Sequence, residues 1–399
     1  MSKILFIWEL GSGLGHLTNL RLPIECALNL GHDVFLAARE LHRVKDVFKN
    51  KPIKYIQTPL RYQGESSTNE LLSYSNLLET QSFNNEVELG IQLEAWNFIF
   101  DSITPDLVIF EHSPKALIAA KCYQFKKVIL GTGFFIPPET KKDTDIFTIF
   151  PTTQKTSTVY LKLLEDDRRV LSLINNALAT YSTIRLSKVS DIYSGVDDYY
   201  FLGYPFLDHF GGREGISYLG SDTIKSKNIP IWPKGKGKKV FAYIPYSSEF
   251  EGLLYSLKVS NNCVLIYGAS ISTELKARYT SENISFITNI VDVDSIADTA
   301  DWVINQGGFS LVTHFLKKGI PQLIIPQHQE SLFFSMKVNA LGGCILTTAG
   351  KATYINEIRD MNSKGSLKEN SLRAKDLCAS YKTPDLRDFY TESIKSLLN

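Results

Sequence analysis

The stretch WVINQGGFSLVTHFLKKGIPQLIIP, residues 302–326, decides the fold. Trp302-Val303-Ile304 is a short apolar strand, and Asn305-Gln306-Gly307-Gly308 breaks it. Phe309 to Lys318 then repeats apolar residues at helical spacing, Gly319 stops the helix, and an apolar strand runs from Pro321 through Ile325. Strand, glycine turn, helix and strand in that order form one unit of a parallel sheet. Two glycines at a helix start let the backbone approach a ligand closely. The N–H groups of the first turn, together with the helix dipole, then form a site for a phosphate, a diphosphate above all. A tight turn alone would also account for Gly307 and Gly308, so both readings of this stretch stand.

Working outward, 399 residues exceed one ordinary core and imply two domains. The 43 Lys and Arg residues nearly cancel the 42 Asp and Glu residues, leaving a net charge of +1, which argues against nucleic acid as a partner. Five scattered cysteines, mostly inside apolar runs, fit reduced core thiols and point to a cytoplasmic setting. Glu9 interrupts the apolar run at the N-terminus, and no later run has the length of a membrane span. Lys234, Lys236, Lys238 and Lys239 cluster, which leaves peripheral membrane contact open.

Residues 3–8 are an apolar strand, followed by Gly11-Ser12-Gly13-Leu14-Gly15-His16 and a helix with apolar positions at Leu17, Leu20, Ile24, Ala27 and Leu28. Further strands fall at 33–38, 53–57, 107–110, 127–130 and 199–202. The pattern predicts helices over 41–48, 71–102 and 114–125, and an uneven polar loop from Arg61 to Asn69. A second series of strands starts at Lys239, with members near 263–267, 284–287, 302–304, 322–325 and 344–346. The sequence thus predicts an α/β protein of two Rossmann-like, doubly wound parallel sheets. The expected division is 1–210 for the first domain, 211–238 for a Gly-, Pro-, Lys- and Ser-rich linker and 239–380 for the second. Residues 381–399 are a helix that returns to the first domain.

Ligands of doubly wound sheets lie beyond the carboxyl ends of the strands, where strand order reverses between strands one and four. In the first domain those ends carry His16 and Glu111. An imidazole held by a carboxylate is oriented as a general base and stabilised once protonated. The alternative is that His16 caps the glycine loop and Glu111 is solvated. Gly11, Gly13 and Gly15 approach a dinucleotide fingerprint, but His16 stands where its third glycine belongs. In the second domain the same rule selects Gln306, Gly307, Gly308, Phe309 and Ser310. Gln329 and Glu330, after the next strand, are placed to hold sugar hydroxyls, although the helix dipole alone would also favour an acid at 330. No His, Cys, Asp or Glu cluster has metal-ligand spacing, so no metal or cofactor is expected. Phe134, Phe135 and Ile136 form either buried core or the wall of an apolar acceptor pocket.

Gly307-Gly308-Phe309-Ser310, Lys318-Gly319-Ile320-Pro321, Pro326 to Glu330 and Asn339 to Gly343 resemble the donor-binding block of GT-B glycosyltransferases. Gly15-His16, Gly31 to Val34 and Pro105 to Glu111 resemble the opening and the acid-bearing strand of the same proteins. The UDP-glucuronosyltransferase-like and peptidoglycan N-acetylglucosaminyltransferase-like (MurG-like) groups are the most similar. The resemblance implies two Rossmann-like domains facing a cleft, with an acceptor in the first and a nucleotide sugar, a UDP-sugar by preference, in the second. It implies inverting, metal-independent transfer to a hydroxyl of a small-molecule, lipid or glycan acceptor. His16 would be the base oriented by Glu111, the loop with Gly13 and Gly15 would lie near the acceptor, and the leaving diphosphate would rest on residues 307–310. Gln306 stands where a histidine is common, Ser310 and Leu311 where Gly-Thr is common, and Ser331 where a glutamine often follows the acid. His314 stands where relatives place a glutamate on the ribose hydroxyls, which opens the donor to another nucleotide. Two other functions fit the same architecture: a nucleotide-sugar epimerase-like isomerase, and a non-catalytic nucleotide-sugar binder.

Overall fold

The computed structural model describes residues 1–11, 13–61, 71–139, 146–149, 157–222, 226–244, 250–268 and 271–399. The loop expected from Arg61 to Asn69 lies outside them but for Arg61. The chain divides into two compact units. The first comprises Met1–Leu202, Glu214–Leu219 and Pro384–Asn399; the second comprises Gly203–Arg213 and Gly220–Thr383.

In the first unit, strands β1 (Lys3–Trp8), β2 (Asp33–Ala38), β3 (Ile53–Gln57), β4 (Leu107–Glu111), β5 (Lys126–Gly131) and β6 (Asp198–Phe201) form one parallel sheet in the order β3-β2-β1-β4-β5-β6. Ile4 to Trp8 and Leu107 to Phe110 are fully buried. Such unbroken apolar runs mark strands covered on both faces, as crossover helices require. Those helices are α1 (Leu14–Asn29), α2 (Leu41–Phe48), α3 (Tyr74–Glu79), α4 (Glu86–Ile103), α5 (Pro114–Ala120) and α6 (Thr158–Ala179). The single helix expected over 71–102 is two, because Ser73 and Asn85 each cap a helix start with a side-chain oxygen and Ser82 turns the chain at φ 78. Helix α5 stops at Ala120, short of the expected 125.

The second sheet contains β7 (Lys239–Tyr243), β8 (Cys263–Tyr267), β9 (Ile284–Ile287), β10 (Trp302–Asn305), β11 (Gln322–Ile324) and β12 (Cys344–Leu346), in the order β12-β11-β10-β7-β8-β9. Counted from its own first strand, this order repeats that of the first sheet. Helices α7 (Glu251–Lys258), α8 (Thr273–Tyr279), α9 (Val293–Thr299), α10 (Phe309–Lys318), α11 (Gln329–Ala340), α12 (Ile355–Ser363) and α13 (Gly365–Ser380) accompany it. On one face Val240 and Ala242 pack with Leu253 and Ile358; on the other Phe241 and Leu265 pack with Ile296 and Phe315. The stretch 211–238, expected as a linker, includes irregular backbone laid against this unit: Asn228 O accepts from Asp292 N at 2.9 Å, and Trp232 packs beside the Phe241 cluster. Its lack of periodicity comes from that irregularity, since neither a helix nor a strand imposes a repeat on it.

Residues 384–399 group with the first unit, where α14 (Leu386–Leu398) lies along α1. Tyr390 and Ile394 are buried, the ring of Tyr200 meets those of Phe389 and Tyr390 at 5.3 and 5.4 Å, and Tyr200 Oη is 2.7 Å from Ser393 Oγ. Ile394→Ala removes a fully buried side chain and is expected to cost about 2–4 kcal/mol. Urea unfolding measures this, and a loss below about 1 kcal/mol would show that α14 does not belong to the core.

Candidate active site

Trp8 and Glu111 are opposite one another in the parallel register of β1 and β4, the two strands between which strand order reverses. After β1 the chain passes Gly11 (φ 86) and Gly13 (φ 89), the N-cap of α1, and His16 falls in the first turn of that helix. Two residues 95 positions apart therefore meet. His16 Nδ1 lies 2.8 Å from both Glu111 oxygens, and Asn19, one turn along α1, donates from Nδ2 to Glu111 Oε1 at 3.2 Å. Glu111 is wholly buried and His16 nearly so. A carboxylate facing Nδ1 selects the neutral tautomer with its proton there, which makes Nε2 the basic nitrogen.

The imidazole is also fixed in plane and position. The Trp8 ring stacks on it at 5.3 Å and 18°, and Phe135 closes against it at 5.4 Å. A Cβ on Gly11 would fall 2.1 Å from His16 Nε2, so the loop needs glycine there for the close approach as well as for the positive φ. No such contact meets a Cβ at Gly13 or Gly15. Phe134, Phe135 and Ile136 are buried, with the Phe135 ring against those of both His16 and His112.

The segment after Glu111 is held by buried polar groups. Ser113 Oγ donates to Glu111 O at 2.8 Å, and Leu10 N–H donates to His112 O at 3.0 Å. Glu9 Oε2 accepts from the backbone N–H groups of Lys115 and Ala116 at 3.0 and 3.1 Å, and Lys115 Nζ is 3.1 Å from Glu9 Oε1. Burial pushes the Glu9 carboxyl above its usual range, against the opposing pull of Lys115. Sequence reasoning missed Glu9, Gly11, Asn19 and His112; the one signal was a charge standing directly at the end of an apolar strand.

In the second unit, Asn305 closes the glycine turn: its Oδ1 accepts from Gly307 N–H at 2.9 Å, and its Nδ2 donates to Gln322 Oε1 at 2.8 Å. Gln322 in turn donates to Val312 O at 3.0 Å. Gly307 has φ 78, and a Cβ there would meet Ser335 Oγ at 2.5 Å and Ser331 O at 2.9 Å, so this glycine lets α10 and α11 start side by side. Gly308, the N-cap of α10, is different. It has φ −66, open space around an added Cβ, and no side chain capping the helix. Gln306 and Ser310 are half-buried beside it, and the Phe309 ring contacts Phe334 at 5.4 Å. Gln329 and Glu330 open α11, with Gln329 Oε1 buried and unpartnered among the described residues. His314 is turned toward α9, its Nε2 3.6 Å from Asp294 Oδ1, and burial lowers its pKa. Among the described residues no group of three or more His, Cys, Asp and Glu could hold a metal ion, and no helix is long and apolar enough to cross a membrane.

The sequence matches no family model and no curated protein. Solved structures do match along both units. The glycosyltransferase VinC in complex with dTDP is similar over 99% of this chain and 98% of its own, with TM-score 0.61 and 13% identity. The spinosyn rhamnosyltransferase SpnG covers 100% and 99% at TM-score 0.65 and 14% identity. The calicheamicin glycosyltransferase CalG4 covers 100% and 98% at TM-score 0.66 and 14% identity. The chain therefore has the GT-B fold of these glycosyltransferases. Its narrower likeness to the glucuronosyl and peptidoglycan groups remains a resemblance of motifs.

The buried histidines give the fold a pH signature. Burial, with His16 and Arg39 nearby, holds His112 well below its ordinary pKa of 6.5, and burial lowers His314 as well. Between the folded and unfolded pKa values the unfolded chain binds more protons. The stabilisation is thus complete above about pH 6.5 and is lost as pH falls toward the folded values. Tm should drop between about pH 7.5 and pH 5.5, and by less in His112→Phe. Equal drops in both proteins would contradict the assignment of this loss to His112.

Proposed function

We propose that this chain is an inverting, metal-independent glycosyltransferase that moves a sugar from a nucleoside diphosphate sugar to a hydroxyl acceptor. The observation that carries the reading is the buried His16–Glu111 pair, with Nδ1 on the carboxylate and Nε2 left as the basic atom. Residues of this kind at the switch point of a Rossmann-like sheet suit proton removal from an alcohol. In the proposed reaction His16 Nε2 takes the hydroxyl proton, and the acceptor oxygen bonds to the anomeric carbon from the face opposite the diphosphate. The bond from that carbon to the diphosphate oxygen breaks, and the nucleoside diphosphate leaves. Glu111 balances the imidazolium that forms.

The start of α10 is assigned the leaving diphosphate. Gly308 has open space around an added Cβ, no acidic residue stands in the first turn, no side chain caps it, and such N–H groups favour an anion that gains charge as the bond breaks. Gln329 and Glu330 are assigned the sugar. The neighbours support a nucleotide donor, one being named in complex with dTDP, and a thymidine diphosphate sugar joins the UDP-sugar as a candidate. Carboxylate chelation of ribose is not assigned to His314, whose ring faces Asp294.

A panel of UDP- and dTDP-sugars, with and without EDTA, tests the reading. Release of free nucleoside diphosphate that EDTA does not reduce is expected; a changed sugar on an intact diphosphate would make the protein an isomerase, and tight binding without turnover a binder. His16→Ala should lower turnover by about a hundredfold or more while donor affinity stays close to wild type. Wild-type turnover in that variant would remove His16 from the base role.

The two glycines separate fold from donor. Gly307→Ala should destabilise the protein by about 1–3 kcal/mol, because its Cβ would meet the α11 backbone at a positive φ. Gly308→Ala should fold as wild type yet bind the nucleotide about tenfold more weakly, by titration calorimetry. Undiminished affinity in Gly308→Ala would sink the diphosphate assignment.

A further inference from the structure

Directly after Glu111 the chain sets a second imidazole that the base–acid pair does not use. His112 is 7% exposed, and neither ring nitrogen has a hydrogen-bond partner among the described residues. Its backbone is in the left-handed region, at φ 42. Its ring lies 4.0 Å from that of Phe135 and 6.0 Å from that of His16, with the two imidazole planes 26° apart. On the neighbouring strand, Thr132 follows β5 and holds a second buried, unpartnered hydroxyl oxygen, and its carbonyl accepts from Phe135 N–H at 3.0 Å. His112 thus packs on the Phe135 ring, and Thr132 is tied to the backbone of the same residue.

A buried imidazole whose two nitrogens find no partner among the described residues, on backbone in the left-handed region, is an unfavourable arrangement. A partner that arrives with the substrate removes the defect. Neutral imidazole offers one N–H donor and one acceptor nitrogen, so it matches hydroxyl and carbonyl oxygens. Burial keeps the ring neutral and so preserves that dual character.

We propose that His112 binds a second oxygen of the acceptor, next to the hydroxyl that His16 deprotonates. The site would then select acceptors carrying two neighbouring oxygen functions, a diol or a hydroxy-carbonyl, over isolated alcohols. This rests on the assignment of the acceptor to the first unit made above. Two adjacent imidazoles, with ring centroids 6.0 Å apart, can each serve one of two oxygens about 3 Å apart.

Catechol and phenol, which differ by one neighbouring hydroxyl, test the assignment with dTDP-glucose and UDP-glucose as donors. Wild type should favour catechol by about tenfold in kcat/KM, with the difference in KM, and His112→Phe should bring the ratio to about one without lowering Tm at about pH 7.5. A ratio that persists in the variant overturns the proposal. So does a variant that loses Tm and weakens both acceptors alike, which would give His112 a packing role only. In parallel, millimolar catechol should shift the His112 ring-nitrogen resonances of 15N-histidine-labelled wild type, and unshifted resonances overturn the proposal. That measurement needs no turnover, so a protein that releases no nucleoside diphosphate, which refutes the transferase reading, still decides the question for His112.

Discussion

The hydrogen bond from His16 Nδ1 to Glu111 spans 95 positions of sequence and ties the first turn of α1 to the end of β4. It forms only if β1 and β4 are neighbours, in register, with the glycine loop turned back over the sheet. A buried carboxylate without this partner would be costly, since charge in a low-dielectric interior must be compensated. The dependence runs outward from the pair: Asn19 completes the carboxylate's shell, Trp8 and Phe135 confine the ring, and Gly11 leaves it room. Glu9, by accepting from the first N–H groups of α5, holds the chain that leaves Glu111.

The second unit repeats the sheet order with different residues at the end of its fourth strand. Its strand-four turn carries no titratable pair. Asn305 and Gln322 instead form a neutral, fully buried amide chain that fixes the turn and leaves Gly308 facing open space. In the proposed reaction one topology serves proton acceptance in one unit and anion acceptance in the other. The difference lies at the carboxyl end of the fourth strand, which bears a carboxylate at Glu111 in one unit and a glycine turn at 307–308 in the other.

Most of the architecture was legible because its signals are local. Apolar runs at 3–8, 107–110 and 302–304, each ended by a turn, fix strands, and strand order then comes from the rule for doubly wound sheets. That rule also brings His16 to Glu111 without knowledge of any contact. The features that stayed hidden depend on packing across distant elements. Gly11 differs from Gly13 only because an imidazole lies over it, and His112 differs from any strand-end histidine only because its nitrogens find no partner among the described residues. The break between α3 and α4 was missed because the periodicity of 71–102 is nearly continuous while the caps at Ser73 and Asn85 outweigh it. The stretch 211–238 shows no repeat, and lack of repeat does not distinguish a tether from irregular chain packed on a surface.

Helix α14 belongs to the unit that begins with Met1, although nearly all of the second unit is encoded between them. Ribosomes release a chain from its N-terminus, so α1 emerges while the helix that covers Cys26 and packs on Tyr200 is still unmade. During synthesis the helix carrying His16 is therefore exposed along one flank. That flank is covered only after the second unit has been translated, whereas Glu111, Asn19, Trp8 and Phe135, which surround His16, all precede that unit in the chain.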